Sequence, residues 1–126
     1  MPKINLDEIK IDQLSDDLIK TTYPPDFLLN ATRLEEIREI YTEMCGSEDV
    51  SHLKLLVIFN GKIAVSQDIG ERYLNGRIRK KQGEALVSAC KETREYLNGA
   101  SALMKKTHPV KVFETEKEAT DWLNTL

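Results

Sequence analysis

From Thr32 onward the apolar positions switch repeatedly between two periods. Leu34, Ile37, Ile40, Tyr41 and Met44 recur at three- and four-residue spacing, with Glu35, Glu36, Arg38, Glu39 and Glu43 on the other side. That spacing predicts an amphipathic helix. Thr32 with Glu35 three residues later matches a capping box, and Gly46 suits a left-handed C-terminal residue. Residues 53–59 then run apolar almost without interruption over a length too short for a helix, which predicts a central strand covered on both faces. Asn60-Gly61 turns the chain, and Ser66 is placed to cap a second helix carrying Ile69, Tyr73 and Leu74.

The remaining pattern extends this alternation at both ends. Ile4, Leu6, Ile9 and Ile11 scatter through an extended stretch, Ser15-Asp16-Asp17 offers turn chemistry, and Leu18 to Tyr23 is rich in β-branched and aromatic residues. Two N-terminal strands, paired as a hairpin, are expected there. Residues 77–98 admit two readings, one long helix or a strand followed by a helix. Gly83 interrupts the helical reading, and Ala85 to Cys90 has the length and apolarity of a buried strand, so the strand is adopted. A helix from about Glu92 to Lys106 follows, with a kink or break expected at Asn98-Gly99 because glycine disfavours a helix interior. Pro109 to Phe113 reads as a strand with an edge-tolerant start. Thr115 with Glu118 is a second capping box, opening a helix that buries Ala119, Trp122, Leu123 and Leu126, with Trp122 as a packing anchor.

Composition narrows the function classes. The chain has 126 residues, 40% hydrophobic and 31% charged, which suits one globular domain over residues 1–126 with its own core. No apolar run reaches 18 residues, and the N-terminus lacks the apolar core of a signal peptide, so a cytoplasmic domain without membrane insertion is expected. The net charge of -3 gives no global pull toward nucleic acid. That charge is uneven: residues 1–63 carry 7 basic and 12 acidic side chains, and residues 64–126 carry 11 and 9. Arg72, Arg77, Arg79, Lys80 and Lys81 form a basic cluster with no acid between Arg72 and Gly83. Such a cluster suits a phosphate group or an acidic partner, or else a solvated connection.

Few residues offer chemistry. Cys45 and Cys90 lie far apart without a Cys-x-x-Cys pair, and His52 and His108 lack the short paired spacings of a zinc site, so no metal and no cofactor is implied. Both cysteines are expected as small buried hydrophobes. Cys90 falls where a strand hands over to a helix, a place that lowers a thiol pKa, which keeps a thiol enzyme open as one alternative. No nucleophile elbow, phosphate-cradling glycine loop or histidine-centred dyad is visible. The clustered glutamates of the first helix read as a solvated face.

The order β-β-α-β-α-β-α-β-α resembles the STAS domain, the fold of bacterial anti-sigma-factor antagonists, and more narrowly an uncharacterised branch of small STAS-like bacterial proteins. Three stretches carry the likeness: Asp17 to Gly46, Leu55 to Ile69, and Pro109 to Phe113 followed by Glu118-Ala119 and Trp122-Leu123. The resemblance implies an α/β fold with a mixed, mostly parallel sheet and packed helices. In regulatory members a serine or threonine at a helix start is phosphorylated. Laying Asn60-Gly61 on the family's glycine turn puts Asp68 at that acceptor and Ser66 at the family's aspartate, so this chain departs from the switch pattern.

Together these readings favour a non-enzymatic interaction or regulatory module that docks through its surface, with a protein partner or a second copy of itself. Ser66, Asp68, Arg72, Arg77 and Arg79 are its candidate docking or ligand residues. The alternative is a binding protein for a small hydrophobic or anionic ligand, held near Ser66 or against the helix carrying Tyr96, Leu97, Leu103 and Met104.

Overall fold

The computed structural model of the chain describes residues 3–6, 8–66, 80–103 and 108–126. Its strands are β1 (Lys3–Leu6), β2 (Ile9–Ser15), β3 (Leu18–Tyr23), β4 (Phe27–Leu29), β5 (Lys54–Phe59), β6 (Ile63–Val65), β7 (Gly83–Ser88) and β8 (Val110–Phe113). Its described helices are α1 (Ala31–Cys45), α2 (Lys91–Leu103) and α3 (Glu116–Leu123). Six strands form one sheet in the order β1-β2-β3-β5-β7-β8, and β4 pairs with β6 in a second, two-stranded sheet. The first two pairings are antiparallel and the next three parallel, so the main sheet is mixed and mostly parallel.

Alternation along the strands sorts the apolar residues onto two faces. Thr21, Val57, Leu86 and Val112 lie in register across the sheet on the face packed by α1 and α2. This larger core holds Ile9, Ile11, Ile19, Tyr23, Leu55 and Phe59, with Ile37 and Tyr41 from α1 and Leu97 from α2. The Thr21 and Tyr41 hydroxyls hydrogen-bond to each other inside it, so neither buried polar group lacks a partner. On the opposite face Leu56, Ala85 and Val87 pack against Ala119 and Leu123 of α3. The next residues in that register, on β2 and β3, are polar: Asp12 and Lys20 beside Leu56, and Lys10 and Thr22 beside Ile58. At these positions the second face is therefore polar, and Leu14 further along β2 is an exposed apolar residue. Lys20 anchors the margin, its Nζ lying 2.9 Å from Glu116 of α3.

The adopted strand reading of residues 85–90 holds, with β7 running over Gly83–Ser88 between β5 and β8. Several expectations are corrected. The N-terminal pair is a three-stranded meander, because β1 and β2 separate where one extended stretch was expected. Asn30, not Thr32, caps α1: its side chain accepts the Arg33 N–H at 2.9 Å, while Glu35 pairs with Arg38. Asparagine caps at least as well as threonine, and it lies where the chain leaves β4. Gly46 does end α1 with φ of 69°. α2 continues unbroken through Asn98-Gly99, where no neighbour lies within 4 Å of the Gly99 side-chain position, so glycine costs propensity but creates no clash.

The Thr115 cap of α3 forms as expected, accepting the Glu118 N–H at 3.3 Å and donating to the Glu118 carboxylate at 2.9 Å. Trp122 is half-buried and packs tilted against Phe113 with ring centroids 5.7 Å apart. Leu126 is partly exposed rather than buried, yet it reaches over Gly83. A Cβ at Gly83 would come within 2.5 Å of Leu126 and 3.5 Å of Trp122. Gly83 thus lets the chain's C-terminal end close against the start of β7.

Candidate functional site

β7 carries unusual polar residues at both of its ends. At the first, Glu84 occupies a register position whose successive neighbours on β5 and β3 are Leu55 and Ile19, on the larger core's face. A carboxylate there needs partners, and one residue close in sequence and one 24 positions away supply them. The Lys81 ammonium and the His108 Nε2 each lie 3.1 Å from the same oxygen, Glu84 Oε1. His108 Nδ1 accepts the Lys81 backbone N–H at 3.2 Å, and the Glu84 N–H donates to the Pro109 carbonyl at 2.9 Å. All three side chains are at least nine-tenths buried.

The electrostatics follow from that geometry. Burial pushes the Glu84 carboxyl up, but the Lys81 charge and the His108 hydrogen bond outweigh it and hold the group down at about 2. The Tyr23 hydroxyl, buried on the same face, is pushed above its ordinary range, chiefly by burial and then by the Glu84 charge. Lys81 is accordingly removed from the basic surface cluster: it is a buried partner of Glu84, because an unpaired carboxylate in that position would be far costlier. His108 is likewise not isolated.

At the opposite end the polar groups open outward. Ser88, fully buried, accepts the Cys90 N–H on its hydroxyl at 3.1 Å, and its carbonyl accepts from Arg94 at 2.8 Å. Cys90 stands at the cap of α2, its carbonyl accepting the Arg94 N–H at 3.0 Å. Its thiol is only half-buried, which corrects the reading of Cys90 as a core residue. The Thr93 hydroxyl, then its backbone N–H, and more weakly that of Glu92 hold the thiol below its ordinary range. The same hydroxyl stands 3.4 Å from the Gly61 carbonyl, so its single proton serves one acceptor at a time. Cys45, also half-buried, lies against the larger core.

Beside this end stands the β4–β6 ladder, which the sequence pattern did not reveal. Asp26, with φ of 59°, donates its N–H to the Lys62 carbonyl, and Ser66 donates to the Leu29 carbonyl at 2.9 Å, bracketing the ladder. Leu28 is directly opposite Ala64, and both are exposed, Leu28 at 53%. Phe27 and Ile63, one step back in register, turn toward the core. Lys62 pairs with Glu92 at 3.1 Å across the rim.

Of the expected docking residues, Ser66 is half-buried at the end of this ladder. Asp68, Arg72, Arg77 and Arg79, with the helix expected after Ser66, lie outside the described residues. On α2, Leu97 faces the core and Tyr96 is exposed at 49%, while Met104 lies outside the described residues. The proposed ligand-binding face therefore loses Leu97 to ordinary core packing. Among the described residues, no group of three or more His, Cys, Asp or Glu could hold a metal ion, and no helix is long and apolar enough to cross a membrane. No protein-family model matches the chain, and no curated protein or solved structure matches it at a significant level.

Proposed function

We propose that this chain is a non-enzymatic interaction or regulatory module of the STAS-like kind, working by docking a protein partner, or a second copy of itself, on the rim formed by the β4–β6 ladder and the start of α2. The carrying observation is the exposed pair Leu28 and Ala64 on the outer side of a ladder that ends at Ser66. A short apolar strand pair, rimmed by the Lys62–Glu92 ion pair, has the apolar centre and charged margin that protein interfaces use. The mixed sheet with helices on both faces accords with the expected fold class.

The test compares the wild-type chain with Leu28→Glu. Light scattering reads self-association, and affinity capture from extract of the source cells reads a partner. The docking reading expects a dimer or a specific captured protein that the variant loses. Identical behaviour of the two chains in both measurements contradicts it.

A second reading, a thiol enzyme acting through Cys90, rests on a separate observation, the lowered thiol beside Thr93. Alkylation at neutral pH that is no faster than that of a free thiol, or unchanged by Thr93→Val, removes this reading.

A further inference from the structure

We propose that, within the docking rim described above and resting on that reading, the outer edge of β4 is a strand-addition site. It takes an extended apolar segment of a partner protein as a further strand beside Leu28, held by main-chain hydrogen bonds.

The open lane comes from the way two strand pairs are interrupted. β4 and β6 keep the residue offset of β3 and β5, with Phe27 beside Ile63 as Tyr23 is beside Phe59, so the short ladder continues the longer one past a break. Two backbone bonds bridge that break, Asn60 N–H to the Tyr23 carbonyl at 3.2 Å and Asp26 N–H to the Lys62 carbonyl at 2.9 Å. β2 flanks β3, but its register ends with Lys10 beside Thr22. Among the described residues, no strand flanks β4 on the side away from β6.

Parity decides which groups face the lane. In a parallel ladder, alternate residues of a strand turn both N–H and C=O to the neighbour, and the residues between turn both away. Leu29 accepts the Ser66 N–H at 2.9 Å, so Phe27 and Leu29 bond toward β6 and the Leu28 N–H and carbonyl face outward. Among the described residues these two groups make no hydrogen bond. The Leu28 side chain is exposed while Phe27 and Leu29 turn into the core, so an added strand would lay an apolar side chain beside Leu28 on the outer face. Proteins guard sheet edges with charge or proline. β8, at an edge of the main sheet, follows Pro109 and exposes Lys111, whereas β4 is Phe-Leu-Leu and carries neither device.

The size of the edge selects its occupant. Asp26, with φ of 59°, and Asn30, the cap of α1, bound the strand at its two ends, which leaves about 10 Å of it. Two copies joined there would bury far less than the ~1,200 Å² of a stable dimer, whereas an extended segment binds weakly and reversibly through main-chain pairing.

The test uses the full chain, labelled with nitrogen-15, and as probe a short capped peptide of alternating valine and threonine. The control is the same peptide N-methylated at every residue. In the free chain the Leu28 amide should exchange at least about tenfold faster than the Ser66 amide. The probe at about 5 mM should shift the Leu28 amide signal and slow its exchange about threefold or more, and the control should do neither. Leu28→Pro removes an outward N–H where an edge strand tolerates proline, and should lose both the probe and the partner captured by the wild type. A Leu28 amide as protected as that of Ser66 in the free chain overturns the proposal. So does equal binding of the methylated control, no change at Leu28 with the probe, or Leu28 protection that rises with protein concentration alone, which marks a second copy. Loss of the partner in Leu28→Glu but not in Leu28→Pro defeats strand addition and leaves the docking reading standing, whereas a partner kept by both variants defeats both. The exchange and probe measurements are made on the wild-type chain, so they stand even if Leu28→Pro fails to fold.

Discussion

The two ends of β7 hold comparable numbers of polar groups and use them in opposite ways. At Glu84 an ammonium, a carboxylate and an imidazole are enclosed and satisfy one another. At Ser88 and Cys90 the polar groups cap a helix and lead out to an exposed rim with Leu28 and Ala64 beside it. Polar residues in an apolar sheet are thus no guide to function until their exposure is known. A closed cluster fixes strand ends against each other, whereas an open one leaves donors, a thiol and apolar surface within reach of another molecule.

Removing one member of the closed cluster should have the largest effect. Glu84→Ala leaves Lys81 buried without its carboxylate, and urea unfolding should show a loss of about 3–5 kcal/mol. Replacing Lys81, Glu84 and His108 together by apolar residues of similar volume should recover most of that stability, since the penalty lies in the unpaired charge.

The pH dependence comes next. The Glu84 carboxyl is held at about 2 in the folded chain against 4.5 ordinarily, so its contribution is complete above about 4.5. It is lost as pH falls from there through about 2. Acid titration of the unfolding free energy should show a decline on the order of 3 kcal/mol across that window. Glu84→Gln should flatten it.

Substitutions at the open end should be milder. Ser88→Ala leaves the Cys90 N–H without its acceptor and should cost about 1 kcal/mol in thermal or urea unfolding. Leu28→Glu, at an exposed position, should change stability by only about 0.5 kcal/mol or less while abolishing docking. A loss of stability at Leu28 comparable to that at Glu84 would erase the distinction between the ends.

The alternation carried by α1, β5, β7, α2, β8 and α3 was legible because periodicity is local: residues 53–59 read as a buried strand whatever packs on them. The Thr115 cap was legible for the same reason, both partners lying within one helical turn. The Glu84 cluster was not, since His108 joins it from 24 positions away, and Lys81 looks like one more member of a basic run until the fold encloses it. The β4–β6 ladder was hidden by its length, three residues a side, too short for alternation to stand out. Cys90 shows an intermediate case. Its position at a strand-to-helix junction was visible, but its exposure and its contact with Thr93 depend on how α2 settles on the sheet.

The most direct test of the docking account is hydrogen–deuterium exchange over the whole chain, alone and with the partner that the wild type captures, or across its own dimerisation. The account predicts new protection at residues 27–29 and 63–66 and at the start of α2, with residues 81–84 unchanged. Protection that appears at residues 81–84 while the rim exchanges as before would contradict it.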